Sequence, residues 1–205
     1  QHDYSIAAYV RFVTAVVNRL GVRDFVLVGN SLGGYIAWET ALSMPTRVKK
    51  LVLVDSAGYP IHSTSVPVGF AVARTPGLQQ IMKYIMPRGM VDSSVRNVYG
   101  DPSRVTAELV DRYYDLTLRN GNREALVERL KQGLSGDVST IKTLKQPTLI
   151  LWGDKDQLIP LDNAKRFESD ISGSRLVVFE GLGHVPHEED ARATVAAFKD
   201  FLKLP

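Results

Sequence analysis

The sequence predicts an α/β protein in which a parallel sheet is flanked by helices and interrupted by a helical insertion. Three observations predict it. Four short runs, Phe25–Val28, Leu51–Val54, Thr148–Trp152 and Leu176–Phe179, are apolar at successive rather than alternate positions, as strands covered on both faces are. Stretches with helical periodicity lie between them, the pattern that builds parallel sheets. Residues 59 to about 140, between the second and third runs, contain no convincing strand.

The elements follow in order. Ile6, Val10, Val13, Val17 and Leu20 form one apolar stripe of an amphipathic helix, with Asp3 or Ser5 to cap its start and Gly21 to end it. A strand at 25–29 runs into Gly29-Asn30-Ser31-Leu32-Gly33, and a helix follows from Leu32 to Met44, closed by Pro45. The second strand ends in Asp55. Within the insertion, Leu78–Ile85, Val91–Tyr99, Val105–Leu118 and Arg123–Leu134 read as helices separated by Pro87, Pro102 and Gly121. The third strand is started by Pro147 and stopped by Gly153, and Asp162–Ile171 is helical. The fourth strand and a closing helix marked by Val195, Phe198 and Leu202 complete the chain. The organisation is therefore a core over 1–58 and 141–205, with a helical lid over 59–140.

With 205 residues, 44% of them hydrophobic, the chain can bury one sizeable core plus the insertion. The net charge of +3 is mild and the longest basic run is Lys49-Lys50, so no nucleic-acid partner is expected. No apolar stretch approaches the length of a membrane span. The absence of cysteine excludes disulfides, thiol nucleophiles and zinc–thiolate sites, and fits a reducing compartment such as the cytoplasm.

The chemistry centres on Ser31. A strand turning sharply into a helix presents its apical residue to solvent in a strained conformation, and glycines on either side remove Cβ atoms that would collide. Gly34 extends that small surface. A serine hydroxyl needs a base to remove its proton, usually a histidine oriented by a carboxylate. Of the four histidines, His184 follows the fourth strand and lies at the carboxyl edge of the sheet, where the serine turn also opens. His187 reads as a surface or supporting residue, His62 belongs to the insertion, and His2 is terminal. For the carboxylate, Asp156 leaves the third strand at the same edge with reach toward His184. Asp154 reads as a turn-former, and Asp55 is the competitor.

The segments VGNSLGGYIAWETALSMPTRVKKLVLVDSAG, LILWGDKDQLIP and VFEGLGHVPHEED resemble the serine-nucleophile branch of the α/β-hydrolase superfamily. The resemblance implies Ser31 as nucleophile, Asp156 as acid and His184 as base, in the chain order of that family. It also implies a backbone oxyanion donor at Leu32, a lid over the site, and no metal or other cofactor. Asn30, Met82 and Met86 are candidate substrate contacts, the methionines as an adaptable apolar wall. Asn30 is similar to its counterpart in the meta-cleavage carbon–carbon hydrolases, which typically carry Trp after the histidine where this chain has Val185. That departure favours an ester of a small to medium apolar substrate, with a C–C bond of a ketone, or ligand binding without turnover, as alternatives. The family also has four strands ahead of the helix that begins at Ile6, including a loop that gives the second oxyanion donor. The sequence looks like the carboxy-terminal part of such a fold. The outer edge of strand 25–29 is accordingly expected to be paired, by a further segment or by a second copy of the chain.

Overall fold

A computed structural model describes residues 3–134 and 136–204. Its framework is a four-stranded parallel sheet, β1 (Phe25–Asn30), β2 (Val48–Val54), β3 (Thr148–Gly153) and β4 (Arg175–Phe179), arranged in chain order. Asn30 lies opposite Val54, Val54 opposite Leu151, and Gly153 opposite Phe179, so the carboxyl ends of all four strands share one edge.

The doubly buried reading holds for the two central strands. Leu51 and Leu53 of β2, with Ile150 and Trp152 of β3, face a core completed by α1 (Ile6–Arg19), α2 (Leu32–Ser43) and α8 (Asp162–Asp170). The alternate residues Val52, Val54, Leu149 and Leu151 face the opposite side, where Ala193, Ala197, Phe198 and Phe201 of the closing helix α10 (Ala191–Leu202) cover them. This is the period-two alternation of a strand applied to two apolar layers. Trp38 and Trp152 are wholly buried, and each indole N–H finds a backbone carbonyl, of Ala57 and Ile159 respectively. That pairing removes the cost of burying the indole donor.

β1 differs from β2 and β3. Phe25 and Leu27 pack on the first core, but Val26 and Val28, on the other face, are 38% and 47% exposed and do not join the cluster under α10. β1 is also the end strand, with β2 as its one neighbour among the described residues. Helix α1 starts where expected, since Ser5 Oγ accepts the N–H of Ala8. Its stripe is shorter than expected: Leu20 is the C-terminal cap and lies in the open.

Between β2 and β3 the chain is helical, in α3 (Val68–Arg74), α4 (Leu78–Met82), α5 (Arg88–Val98), α6 (Ala107–Leu118) and α7 (Asn122–Lys131). The sequence missed α3, whose Gly69 and Pro67 disguise it, and overextended α4, which stops before Ile85. Short 3₁₀ helices, Pro102–Arg104 and Val138–Thr143, flank the later part. The insertion has its own core of Met82, Met86, Val91, Val95, Tyr99, Val110 and Val127. Val185, the residue after His184, belongs to it, which ties the insertion to the sheet edge.

Candidate active site

Ser31 sits between β1 and α2 at φ 55, ψ −121, a backbone state rare for any residue other than glycine. It is held there by its own backbone. Its N–H donates to Val54, and its carbonyl accepts from Gly34, Tyr35 and Ala57. Its hydroxyl does not cap the helix, and takes no hydrogen bond among the described residues. Leu32 is the first residue of α2, so its N–H has no acceptor within the helix.

The glycines around Ser31 divide differently from expectation. A Cβ on Gly29 would lie 2.1 Å from the Gly33 carbonyl oxygen, so that position is closed to any side chain. Gly33 has open space where its Cβ would be, whereas a Cβ on Gly34 would meet Ser56 Oγ at 2.3 Å. The crowded second position is therefore Gly34, because it is the helix face turned toward the end of β2.

His184 and Asp156 are both buried, and His184 Nδ1 lies 2.7 Å from Asp156 Oδ2. Asp156 Oδ1 accepts the N–H groups of Leu158 and Ile159 at 2.8 and 3.0 Å. These contacts fix the carboxylate, leaving Oδ2 for the imidazole. The His184 loop is joined to the elbow by Asn30, whose amide nitrogen donates to the carbonyls of Val54 and His184 at 3.1 and 3.0 Å. Both amide hydrogens are thus engaged, and a substrate can meet Asn30 only through Oδ1. The His184 N–H donates to Val98 at the end of α5, so the insertion also grips this loop.

Asp154 does more than turn the chain: its carboxylate accepts the N–H of Gly181 at 2.7 Å, bracing the two loops against each other. Glu189, in the short helix α9 (Pro186–Glu189), escaped the sequence reading. Its buried carboxylate accepts the N–H of Gly183 at 2.7 Å and that of Gly100 at 2.8 Å, clamping the His184 loop to the insertion. Burial raises its pKa, and the two N–H donors work against that rise. The signal was present only as an acid five residues after a histidine. Glu188 binds the hydroxyls of Tyr99 and Tyr113 and the guanidinium of Arg112. Burial and that carboxylate push Tyr113 up to about 12.

Met82 and Met86, with Met90, Phe70, Val95 and Val98, line an apolar cavity of about 190 Å³ within the insertion. His187 lies half-buried beside Arg104, Arg112 and Glu188. His62 is exposed, and His2 lies outside the described residues.

Asp55, the competing acid at the end of β2, is wholly buried, with φ 42. Asp55, Asp156 and His184 each bring one polar atom within 4.8 Å of the others, a spacing that could hold a metal ion. The hydrogen bonds argue for another use. Asp156 already takes two backbone donors and His184 Nδ1, and a cation would have to displace that last contact.

Comparison with known proteins bears on the fold. The alpha/beta hydrolase fold family matches residues 1–191. A 2-hydroxymuconate semialdehyde hydrolase of Pseudomonas sp. is 30% identical over 208 residues, covering 98% of this chain and 69% of that protein. An uncharacterized hydrolase, YugF, of Bacillus subtilis is 27% identical over 98% of this chain and 73% of its own length. Among solved structures, a meta-cleavage product hydrolase from Pseudomonas fluorescens superposes with a TM-score of 0.85 at 26% identity, over 99% of this chain and 73% of that one.

Proposed function

The chain belongs to the alpha/beta hydrolase fold family, and we propose that it is a serine-dependent hydrolase acting on the carboxylic ester of a small to medium apolar substrate. The observation that carries the reading is the buried 2.7 Å contact between His184 and Asp156 beside the strained Ser31 turn. Ser31 Oγ attacks the ester carbonyl while His184 Nε2 takes its proton. Asp156 accepts a hydrogen bond from Nδ1–H, the tautomer that leaves Nε2 unprotonated and free to act as the base. The N–H of Leu32 donates to the developing oxyanion. The tetrahedral intermediate collapses, His184 returns the proton to the leaving alkoxide, and an acyl group stays on Ser31. Water, deprotonated by the same imidazole, then releases the acid.

The apolar-substrate part of the proposal rests on the methionine-lined cavity of about 190 Å³, which lies within the insertion and is lined by none of Ser31, Asp156 and His184. The lid role of residues 59–140 belongs to this proposal, supported by the hold of Val98 and Gly100 on the His184 loop. A second reading, hydrolysis of a carbon–carbon bond in a ketone, is favoured by the names of the relatives. Val185, where meta-cleavage enzymes typically carry Trp, weighs against it.

The test combines a p-nitrophenyl ester series, a meta-cleavage dienone and a fluorophosphonate probe. The proposal expects Ser31 to be labelled, short esters to be turned over faster than the dienone, and Ser31→Ala to abolish both. Loss of a nucleophile costs on the order of 10⁶ in rate. A Ser31→Ala protein retaining a tenth of the turnover ends the assignment, and preference for the dienone transfers it to the second reading.

A further inference from the structure

The mechanism above leaves Asp55 without a task, yet few carboxyls are so confined. Its Oδ1 accepts the N–H of Gly153 at 3.0 Å, while Oδ2 is buried with no hydrogen-bond partner among the described residues. One of its carboxylate oxygens lies within 4.8 Å of one polar atom each of Asp156 and His184. Its positive φ is one that Asp tolerates better than most residues. Two carboxyls sharing so small a buried volume do not both ionise, because the charged pair would face mutual repulsion with little solvent to screen it.

Backbone contacts decide which of the two keeps the charge. Asp156 accepts two backbone N–H groups and faces His184 Nδ1, so both of its oxygens already meet donors. Asp55 accepts one N–H and has an oxygen left over. The charged groups felt at Asp55 are Asp156 and, further off, Glu189, both acids, beside the imidazole of His184. Burial first, and the Asp156 charge second, drive the Asp55 carboxyl well above the usual carboxylate range.

We propose that Asp55 is held as a neutral carboxylic acid with its proton directed at the Asp156 carboxylate, and that it is a positioning residue for the Asp156–His184 pair. The neutral acid braces Asp156 from behind. It also keeps a second negative charge away from the imidazole. An ionised carboxylate at this range would favour protonated His184, which cannot take the proton of Ser31. The positioning half rests on the hydrolase reading given above; the protonation half does not.

Asp55→Asn and Asp55→Ala test both halves. Asparagine copies the neutral acid, with an oxygen for Gly153 and an N–H for Asp156; alanine does not. The first measurement needs no activity: urea unfolding of wild type and Asp55→Asn at pH 5, 6 and 7. An acid raised in the folded state contributes stability that is complete below its unfolded pKa, about 3.9, and lost as pH climbs toward the folded value. The unfolding constant of wild type relative to Asp55→Asn should therefore rise by about tenfold per pH unit. A ratio that stays flat from pH 5 to 7 means that native Asp55 is ionised and overturns the proposal. The second measurement is the rate of fluorophosphonate labelling of Ser31 against pH. Asp55→Ala should slow labelling by about tenfold, and Asp55→Asn should recover most of that loss with the acidic limb in place. Equal losses in both variants overturn the positioning role, as does a limb displaced to lower pH by about one unit in Asp55→Asn, the mark of a removed negative charge. If wild-type Ser31 is not labelled, the hydrolase reading and the positioning role fall together, and the unfolding ratio still decides the proton.

Discussion

Replacing Asp156 by Asn tests the geometry of the site most sharply. The side chain keeps its shape, and its orientation is dictated by the backbone. The N–H groups of Leu158 and Ile159 both point at Oδ1, so the asparagine oxygen must take that place. Its NH₂ then occupies the position of Oδ2, 2.7 Å from His184 Nδ1. Two donors cannot face each other there, so Nδ1 becomes the acceptor and the ring proton moves to Nε2. In that tautomer the imidazole presents N–H to Ser31 and cannot accept its proton. The penalty for this fault in a serine–histidine–aspartate site is about 10⁴ in kcat, or roughly 5.5 kcal/mol of transition-state stabilisation. Stability should change little, because both backbone donors keep an acceptor. The assay is kcat for a short p-nitrophenyl ester, with the urea midpoint as the control for folding. A folded Asp156→Asn enzyme within tenfold of wild type refutes the reasoning. A deeper loss for Asp55→Asn than for Asp156→Asn would hand the orienting role to the acid after β2.

Three further outcomes are expected. Gly34→Ala should destabilise the protein by about 1–3 kcal/mol through its clash with Ser56, whereas Gly33→Ala, with open space, should be neutral or stabilising by up to about 1 kcal/mol; equal effects in thermal denaturation would contradict the crowding argument. Glu189→Gln must turn a donor toward Gly183 or Gly100, losing one hydrogen bond to a charged acceptor worth about 1.5–3 kcal/mol; a midpoint of urea unfolding that does not move would show that the clamp carries no weight. The outer edge of β1, with Val26 and Val28 exposed beside it, should drive self-association of the 205-residue chain; a stable monomer by light scattering at high concentration would count against it.

Much of the architecture could be read in the sequence because it is written in local patterns. Runs such as Leu51–Val54 and Leu149–Trp152 are apolar at every position and became the strands between two apolar layers. The serine turn was legible for a similar reason. A position where a Cβ would lie 2.1 Å from a carbonyl oxygen admits only glycine, and Gly29 occupies it. The order Ser31, Asp156, His184 was equally visible, since strands that end on one edge carry their loops there. What tertiary structure decided depends on burial and direction, which the order of residues does not encode. Asp55 reads as the lower-ranked candidate for the orienting acid, and becomes a wholly buried carboxyl beside Asp156 only when β3 is laid next to β2. Glu189 is one acid among several until its helix aims it at the N–H groups of Gly183 and Gly100, the latter far away in the chain. Gly33 and Gly34 are interchangeable on paper, and the rotation of α2 against Ser56 separates them. Local sequence sets which backbone conformations and faces are possible; which polar groups end up sharing a dry space is settled only when distant segments pack.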